Sequence, residues 1–447
     1  MSQTVQAAVP SRRDVFARAW PIVLANISVP VLGLVDTAVI GHLGEVAALG
    51  AIALGTLLFN FVFWAFGFLR MGTTGFVARA DGAGAGAEVQ AVLARALWLA
   101  GGLGLALLLL QWPIIELSLW LLGGSPATEA LARDYAYARI WGAPASLALF
   151  ALMGTLVGLG RSDKLLQLQL LLNGLNLLLN VLLAMGLGWG VFGIGVGTAL
   201  AEWLTVVCGL WLLHQLLGGA GQAWRWRWRS LGGWSSMRPM LLANVDILIR
   251  TLALLACFAW FTHQGALFGD TVLAANHILL QLISFAAFFL DGFAFAAEGW
   301  VGRAVGARQR QLFDAVLWRT SELALWTALA LALLAWFWGD WAVSLLTNLP
   351  SVQAQASQQL LAVSAYILLS VAAFQLDGVF IGAGWTRAMR WASLLSAAAF
   401  GVCWSLLQPW GNAGLWWAFV LYVLCRALAL WLWLPGLRRE IAVVSSP

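Results

Sequence analysis

GFVARADGAG at residues 75–84 returns at 299–308 as GWVGRAVGAR, identical at six of ten positions with an offset of 224. The same offset carries LMGTLVGLG (152–160) onto LDGVFIGAG (376–384), so Gly154, Gly158 and Gly160 fall on Gly378, Gly382 and Gly384. LAN occurs near the start of each half, at 24–26 and 242–244. Two separate matches at one offset mark an internal duplication, which fixes the architecture before any single residue is considered.

What is duplicated follows from the flanking composition. The 447 residues are 62% hydrophobic and 10% charged, against about 25% charged in soluble domains. Mean hydropathy is +0.87. Such a chain cannot coat a water-facing surface, and apolar runs fill it almost end to end. Spanning a bilayer takes about 20 apolar residues. Twelve spans are predicted, at 15–42, 47–72, 89–111, 131–158, 165–187, 191–216, 236–262, 270–300, 312–338, 356–383, 388–408 and 413–434. An outer-membrane barrel is excluded, because its strands would alternate polar and apolar residues. The expected fold is an all-α polytopic membrane protein with two parallel six-helix lobes around a central cleft. The N-lobe covers 1–217, a cytoplasmic linker 218–235, and the C-lobe 236–447. Six spans per half insert both halves the same way up, a transporter architecture.

The net charge of +5 would suggest nucleic acid in a soluble protein, and here it reports topology. With the N-terminus inside, 21 of the 24 basic residues fall in cytoplasmic segments, Arg426 among them. Arg133 and Arg139 fall outside, and Arg250 sits within a span. This bias predicts an inner-membrane protein with both termini cytoplasmic. The linker sequence AWRWRWRS (223–230) reads as an interfacial anchor, Trp at headgroup level and Arg on anionic lipid. Cys208, Cys257, Cys403 and Cys425 are far apart in apolar runs and read as packing residues. The four histidines form no metal-spaced pair, and no GxxxxGK[ST] loop is present. No metal or cofactor is expected, so energy must come from an ion gradient.

An ionisable group inside a span costs at least about 2.5–3.5 kcal/mol at the bilayer centre, so each needs a partner, a cavity or a task. Asp36 lies deep in the first span, six residues after Pro30. Proline frees the carbonyl of Asn26 and lets the helix bend. A carboxylate beside such a hinge is a candidate proton or cation site. Asn173, Asn176 and Asn180 share one face of span five, and Thr198, Glu202 and Thr205 one face of span six. Span seven carries Asp246 and Arg250 at i, i+4, spacing for an intrahelical ion pair. Asp291 and Glu298 lie on one face of span eight with Ser284, and Asp377 lies on span ten with Tyr366 and Ser370. Acids on three helices of one half imply a negatively charged cavity suited to cationic compounds.

Several stretches are similar to a known family: PVLGLVDTAVIGHLG (30–44), FLRMGTTGFVARADGAG (68–84), NGLNLLLN (173–180), GIGVGTALAEW (193–203), NVDILIRTLALL (244–255), the long run 266–308 and LDGVFIGAG (376–384). They resemble the multidrug and toxic compound extrusion (MATE) family, and within it the DinF-like branch. The resemblance implies antiport, in which a proton, or less readily a sodium ion, enters as an amphipathic, often cationic compound leaves. It implies cation coupling at Asp36, with Asn176, Asn180 and Thr198 as polar partners. Many DinF-like relatives look like N-x-x-x-D in span five, and this chain has Asn180 at the second position. Asn cannot titrate, which leaves Asp36 to act alone or with Glu202. Asp377 falls near a span-ten acidic position used for cations in another branch, and Asp246, Arg250, Asp291 and Glu298 fit the C-lobe pattern. Partners would be small molecules and the bilayer, with the chain acting as a monomer. The alternatives are a lipid-linked oligosaccharide flippase of similar fold, which would favour a cationic cavity, or a membrane protein that does not transport.

Overall fold

The computed structural model describes residues 9–41, 46–218 and 233–443, with side chains described throughout except at 30–41, 46, 442 and 443. The side chains of Pro30 and Asp36, and nearly all of the linker, therefore lie outside the described residues. Among the described residues the chain is helical, without strands. The main helices are α1 (Arg12–Gly41), α2 (Val46–Ala65), α3 (Phe68–Gly82), α4 (Gly86–Leu109), α5 (Gln111–Leu122), α6 (Pro126–Arg139), α7 (Ala143–Gly158), α8 (Ser162–Asn180) and α9 (Gly190–Gly218) in the first half. The second half contributes α10 (Trp234–Leu267), α11 (Asp270–Gly306), α12 (Arg310–Leu346), α13 (Pro350–Ser357), α14 (Leu360–Ala383), α15 (Thr386–Leu407) and α16 (Gly411–Val443). Ten described stretches are long and apolar enough to cross a membrane. The last, Thr386–Ile441, holds both α15 and α16, and α1 adds one more, which makes twelve. The stretch Ala47–Gly82, matching the second expected span, runs ten residues past its expected end and joins α2 to α3.

The duplication is visible in backbone detail. Helices α4 and α12 start 224 residues apart, as do α8 and α15, and α3 and α11 end 224 apart. The turns between them repeat as well. Ala85 N–H donates to Ala80 O and Gln309 N–H to Ala304 O, both at 2.9 Å. Arg161 N–H reaches Leu156 O at 2.8 Å and Trp385 N–H reaches Phe380 O at 3.0 Å. These are six-residue closures with a left-handed residue, the usual way a helix satisfies its last carbonyls. Gly160 (φ 63°) and Gly384 (φ 79°) supply that residue at one pair of turns. At the other, Gly84 (φ 68°) has Arg308 (φ 57°) as its counterpart.

The glycine matches have a packing cause. A Cβ at Gly154 would run into the carbonyl of Arg70, and one at Gly378 into that of Ala294. Residues 70 and 294 are again 224 apart. Small residues let two spans approach closely where lipid offers no hydrophobic drive for association.

By packing, the chain forms two units. The first comprises Leu24–Ala80 and Ala85–Leu241. The second comprises Asp81–Gly84 and the described parts of Met1–Val23 and Leu242–Pro447. The divisions fall inside α1 at Leu24 and inside α10 at Leu242, the leucines that begin the two LAN matches. Accordingly Met240 packs with Ala96 and Ala151 in the first unit, and Val15 and Ala19 pack with Leu290 and Phe293 in the second. The core of the second unit is aromatic. Phe419 meets Phe261, Trp416, Tyr366 and Tyr422 at ring centroid distances of 4.8 to 6.5 Å.

Candidate functional site

In the first unit, α8 presents its amides as a connected ladder. Asn180 Nδ2 donates to Asn176 Oδ1 at 2.9 Å, and Asn176 Nδ2 donates to Thr198 Oγ1 on α9 at 2.9 Å. Asn176, Asn180 and Thr198 are all buried. Asn173 joins a different helix. It accepts from Gln169 Nε2 at 3.0 Å and donates to the backbone carbonyl of Ser28 on α1 at 3.2 Å. The polar face of α8 thus holds α1 two residues before Pro30. Asp36 lies further along the same helix by backbone, its side chain outside the described residues.

At Asn180 the α-helix gives way to one π-helical stretch, Val181–Gly186, with Leu187 N–H reaching back to Leu182 O at 2.9 Å. Such bulges recur at functional sites. The neighbouring face of α9 is GIGVGT, and a Cβ at Gly197 would collide with Asn180 Oδ1. The missing side chain at 197 makes room for the amide that closes the ladder. We expect Gly197→Ala to displace that amide and cost about 1–3 kcal/mol, the range for overpacking. Thermal unfolding of the purified protein would report the loss, and efflux should fall with it. An unchanged midpoint and rate would show that the ladder tolerates displacement.

Glu202 is buried on α9, one turn past Thr198. Its Oε1 lies 3.9 Å from Arg139 Nη2. Arg139 donates to Tyr135 Oη at 2.9 Å and sits 4.9 Å above the ring of Phe59. The topology count placed Arg139 outside; the structure places it within a long helical stretch, beside an acid. The helix begins earlier than expected, at Pro126, capped by Ser125 Oγ accepting from Thr128 N–H at 3.2 Å. Thirteen residues at about 1.5 Å each bring Arg139 roughly 20 Å along the stretch. There it needs a counter-charge, and Glu202 supplies it.

The second unit departs further from the sequence reading. Asp246 and Arg250 do not pair with each other in any described contact. Asp246 accepts from Arg390 Nη1 at 2.6 Å and from Thr386 Oγ1 at 2.9 Å, both on α15. Arg250 binds Asp377 on α14, and Arg426 on α16 binds the same carboxylate. Spacing of i, i+4 permits an intrahelical pair, but two neighbouring helices, α15 and α14, offer partners inside the bundle. Arg426, counted as cytoplasmic, is buried. Its position eight residues inside the apolar run ending near 434 was the available signal. Asp246 and Asp377 are therefore neutralised by arginines, so neither contributes to a negatively charged cavity. Glu298 on α11 is buried, and Asp291 on the same helix is partly buried.

Sequence reasoning also missed a reciprocal amide pair in this unit. Asn276 Nδ2 donates to Asn412 Oδ1 at 2.8 Å, Asn412 Nδ2 returns the bond at 3.0 Å, and Trp416 Nε1 adds a third at 2.9 Å. A cavity of about 400 Å³ adjoins it, lined by Phe261, Thr262, Asp270 and His277 among others, and by none of the expected site residues. No group of three or more His, Cys, Asp or Glu side chains that could hold a metal ion occurs among the described residues.

The geometry can be set beside known proteins. The MatE family model matches residues 21–182 and 247–407, one segment in each half. The chain is 38% identical over 419 residues to DNA damage-inducible protein F of Escherichia coli K12, covering 92% of this chain and 89% of that one. It is 31% identical over 338 residues to a probable multidrug resistance protein NorM of a Synechococcus strain, covering 71% of this chain and 69% of the relative. Among solved structures, the bent form of the Vibrio cholerae MATE transporter VcmN superposes with a TM-score of 0.87 at 20% identity, over 97% of this chain and 98% of that one. A MOP superfamily transporter from Pyrococcus furiosus superposes at 0.85 and 18% identity over the full length of both. Twelve spans, two repeats and a polar set on span-forming helices agree with these likenesses: the chain belongs to the MatE family, a family of membrane transporters and not of enzymes.

Proposed function

We propose that this transporter is a secondary active antiporter that admits protons as amphipathic, often cationic compounds leave. Asp36 is the coupling carboxylate, Asn176, Asn180 and Thr198 are its polar partners, Glu202 is an auxiliary acid, and Pro30 is the hinge of α1. The observation that carries the reading is the polar face of α8, whose amide ladder ends on α9 at Thr198 and whose Asn173 separately donates to α1 at Ser28. A change of charge at Asp36 would act on a helix that α8 already grips beside its proline. Protonation removes a buried charge, α1 bends, and the two units exchange access between the faces of the membrane. Protons are favoured over sodium because Asn176 Oδ1 and Thr198 Oγ1 are already engaged within the ladder. Asn176 Oδ1 takes the Asn180 amide, and Thr198 Oγ1 takes that of Asn176. The termini and most arginines would face the cytoplasm of a bacterial inner membrane, with one chain as the working unit. Asp291 and Glu298 would meet substrate from the second unit, with Asp246, Arg250 and Asp377 in the polar wall beside them.

The test is dye release from everted vesicles, comparing a pH jump with a sodium jump of equal driving force. A proton antiporter responds to the pH jump alone. An equal response to sodium would reject proton coupling, and no response to either would reject antiport.

A further inference from the structure

Arg250 and Arg426 reach Asp377 from different helices, and both direct Nη2 at the same oxygen, Oδ2. The three side chains are 5 to 9% exposed by residue or side chain. The Nε of each arginine is buried without a hydrogen-bond partner. The surrounding groups are Tyr366, Tyr422 and Cys257. Both tyrosines stack on Phe419, at 4.8 and 5.8 Å, which fixes the apolar wall beside the charges. The cluster holds two positive charges against one negative charge.

One guanidinium would suffice to tie α14 to a neighbour. The second is surplus, and an unmatched charge inside a span marks a functional site. Guanidinium presents a planar fork of donors that matches carboxylate, sulfonate and phosphate oxygens. We infer that the α10–α14–α16 cluster binds the anionic group of amphipathic organic acids, with the surplus guanidinium as the recognising charge. Asp377 then acts as an internal competitor that occupies the donors until ligand shares them. This rests on the transporter reading and widens its substrate class from cations to acidic and zwitterionic amphiphiles.

Thermal unfolding of the purified full chain in neutral detergent tests it, with octanesulfonate against octyltrimethylammonium, both dosed below micelle formation. Wild type should be stabilised by the sulfonate and not by the cation. Arg250→Gln and Arg426→Gln each leave a one-to-one ion pair. Both should unfold at or above the wild-type midpoint without ligand, yet bind the sulfonate at least tenfold more weakly. Should either fail to fold, Arg250→Lys and Arg426→Lys keep the charge, lose the fork, and should show the same weakening. Variants that bind sulfonate as wild type does would overturn the inference. So would a lowered midpoint with an unchanged ligand shift, the mark of a purely structural cluster. Nanodiscs of phosphatidylcholine, with and without phosphatidylglycerol, separate the sources of anion. Competition by the anionic lipid would assign the cluster to headgroups and reject a soluble acid. The readout is binding, so it stands or falls independently of proton coupling.

Discussion

Asp36→Asn should reduce proton-driven efflux to the background of empty vesicles while the protein still inserts and unfolds at the wild-type temperature. Asn matches Asp in size and removes only the titrating group. The loss should be complete because the neighbouring ladder holds no substitute. Asn173, Asn176, Asn180 and Thr198 cannot exchange protons, and Glu202 faces the guanidinium of Arg139. One charge crossing 100 mV is worth about 2.3 kcal/mol, and only a group that changes charge during the cycle can harvest it. Substrate binding should survive, since the neutral Asn imitates the protonated acid. Wild-type transport by the variant would remove Asp36 from the mechanism. Partial proton-driven transport that vanishes on adding Glu202→Gln would establish a two-carboxylate site.

The fold was legible because the duplication writes itself at backbone level. Gly154 and Gly378 could be matched from sequence, and both lie where two spans cross so closely that a side chain would meet a carbonyl. The amide ladder was legible too, since Asn173, Asn176 and Asn180 share a face by helical period alone. Partner choice was not. Asn173 turned to the Ser28 carbonyl instead of joining its neighbours, and Asp246 passed over Arg250 for Arg390. Periodicity places a residue on a face, but only tertiary packing decides which helix that face meets. The partners of Arg139 and Arg426 were out of reach for a related reason. The positive-inside rule counts arginines near span ends, and both lie well within their stretches, where an acid on another helix neutralises them. The glycine at 197 carried no periodic signal, because its role is the absence of a side chain opposite Asn180.

Removing the shared carboxylate of the second unit should be the most damaging change to stability. Asp377→Ala leaves Arg250 and Arg426 facing each other without the carboxylate that both contact. Breaking a buried pair by deleting one partner costs about 3–5 kcal/mol, and two stranded guanidiniums place this variant at the upper end. The expected result is a strongly lowered unfolding midpoint and poor yield in the membrane. Charge balance sets the order of the series: Arg250→Gln or Arg426→Gln at or above the wild-type midpoint, Asp377→Ala severe, and the triple neutral variant Asp377→Asn, Arg250→Gln, Arg426→Gln recovered towards wild type. The three side chains share one contact network, so their effects should be strongly non-additive. Additive losses would show that shape, and not charge, holds the cluster. The order also bears on ligand binding. If Asp377 competes with organic acids for the arginines, octanesulfonate should raise the midpoint of Asp377→Asn by more than that of wild type, because the sulfonate then replaces the missing carboxylate.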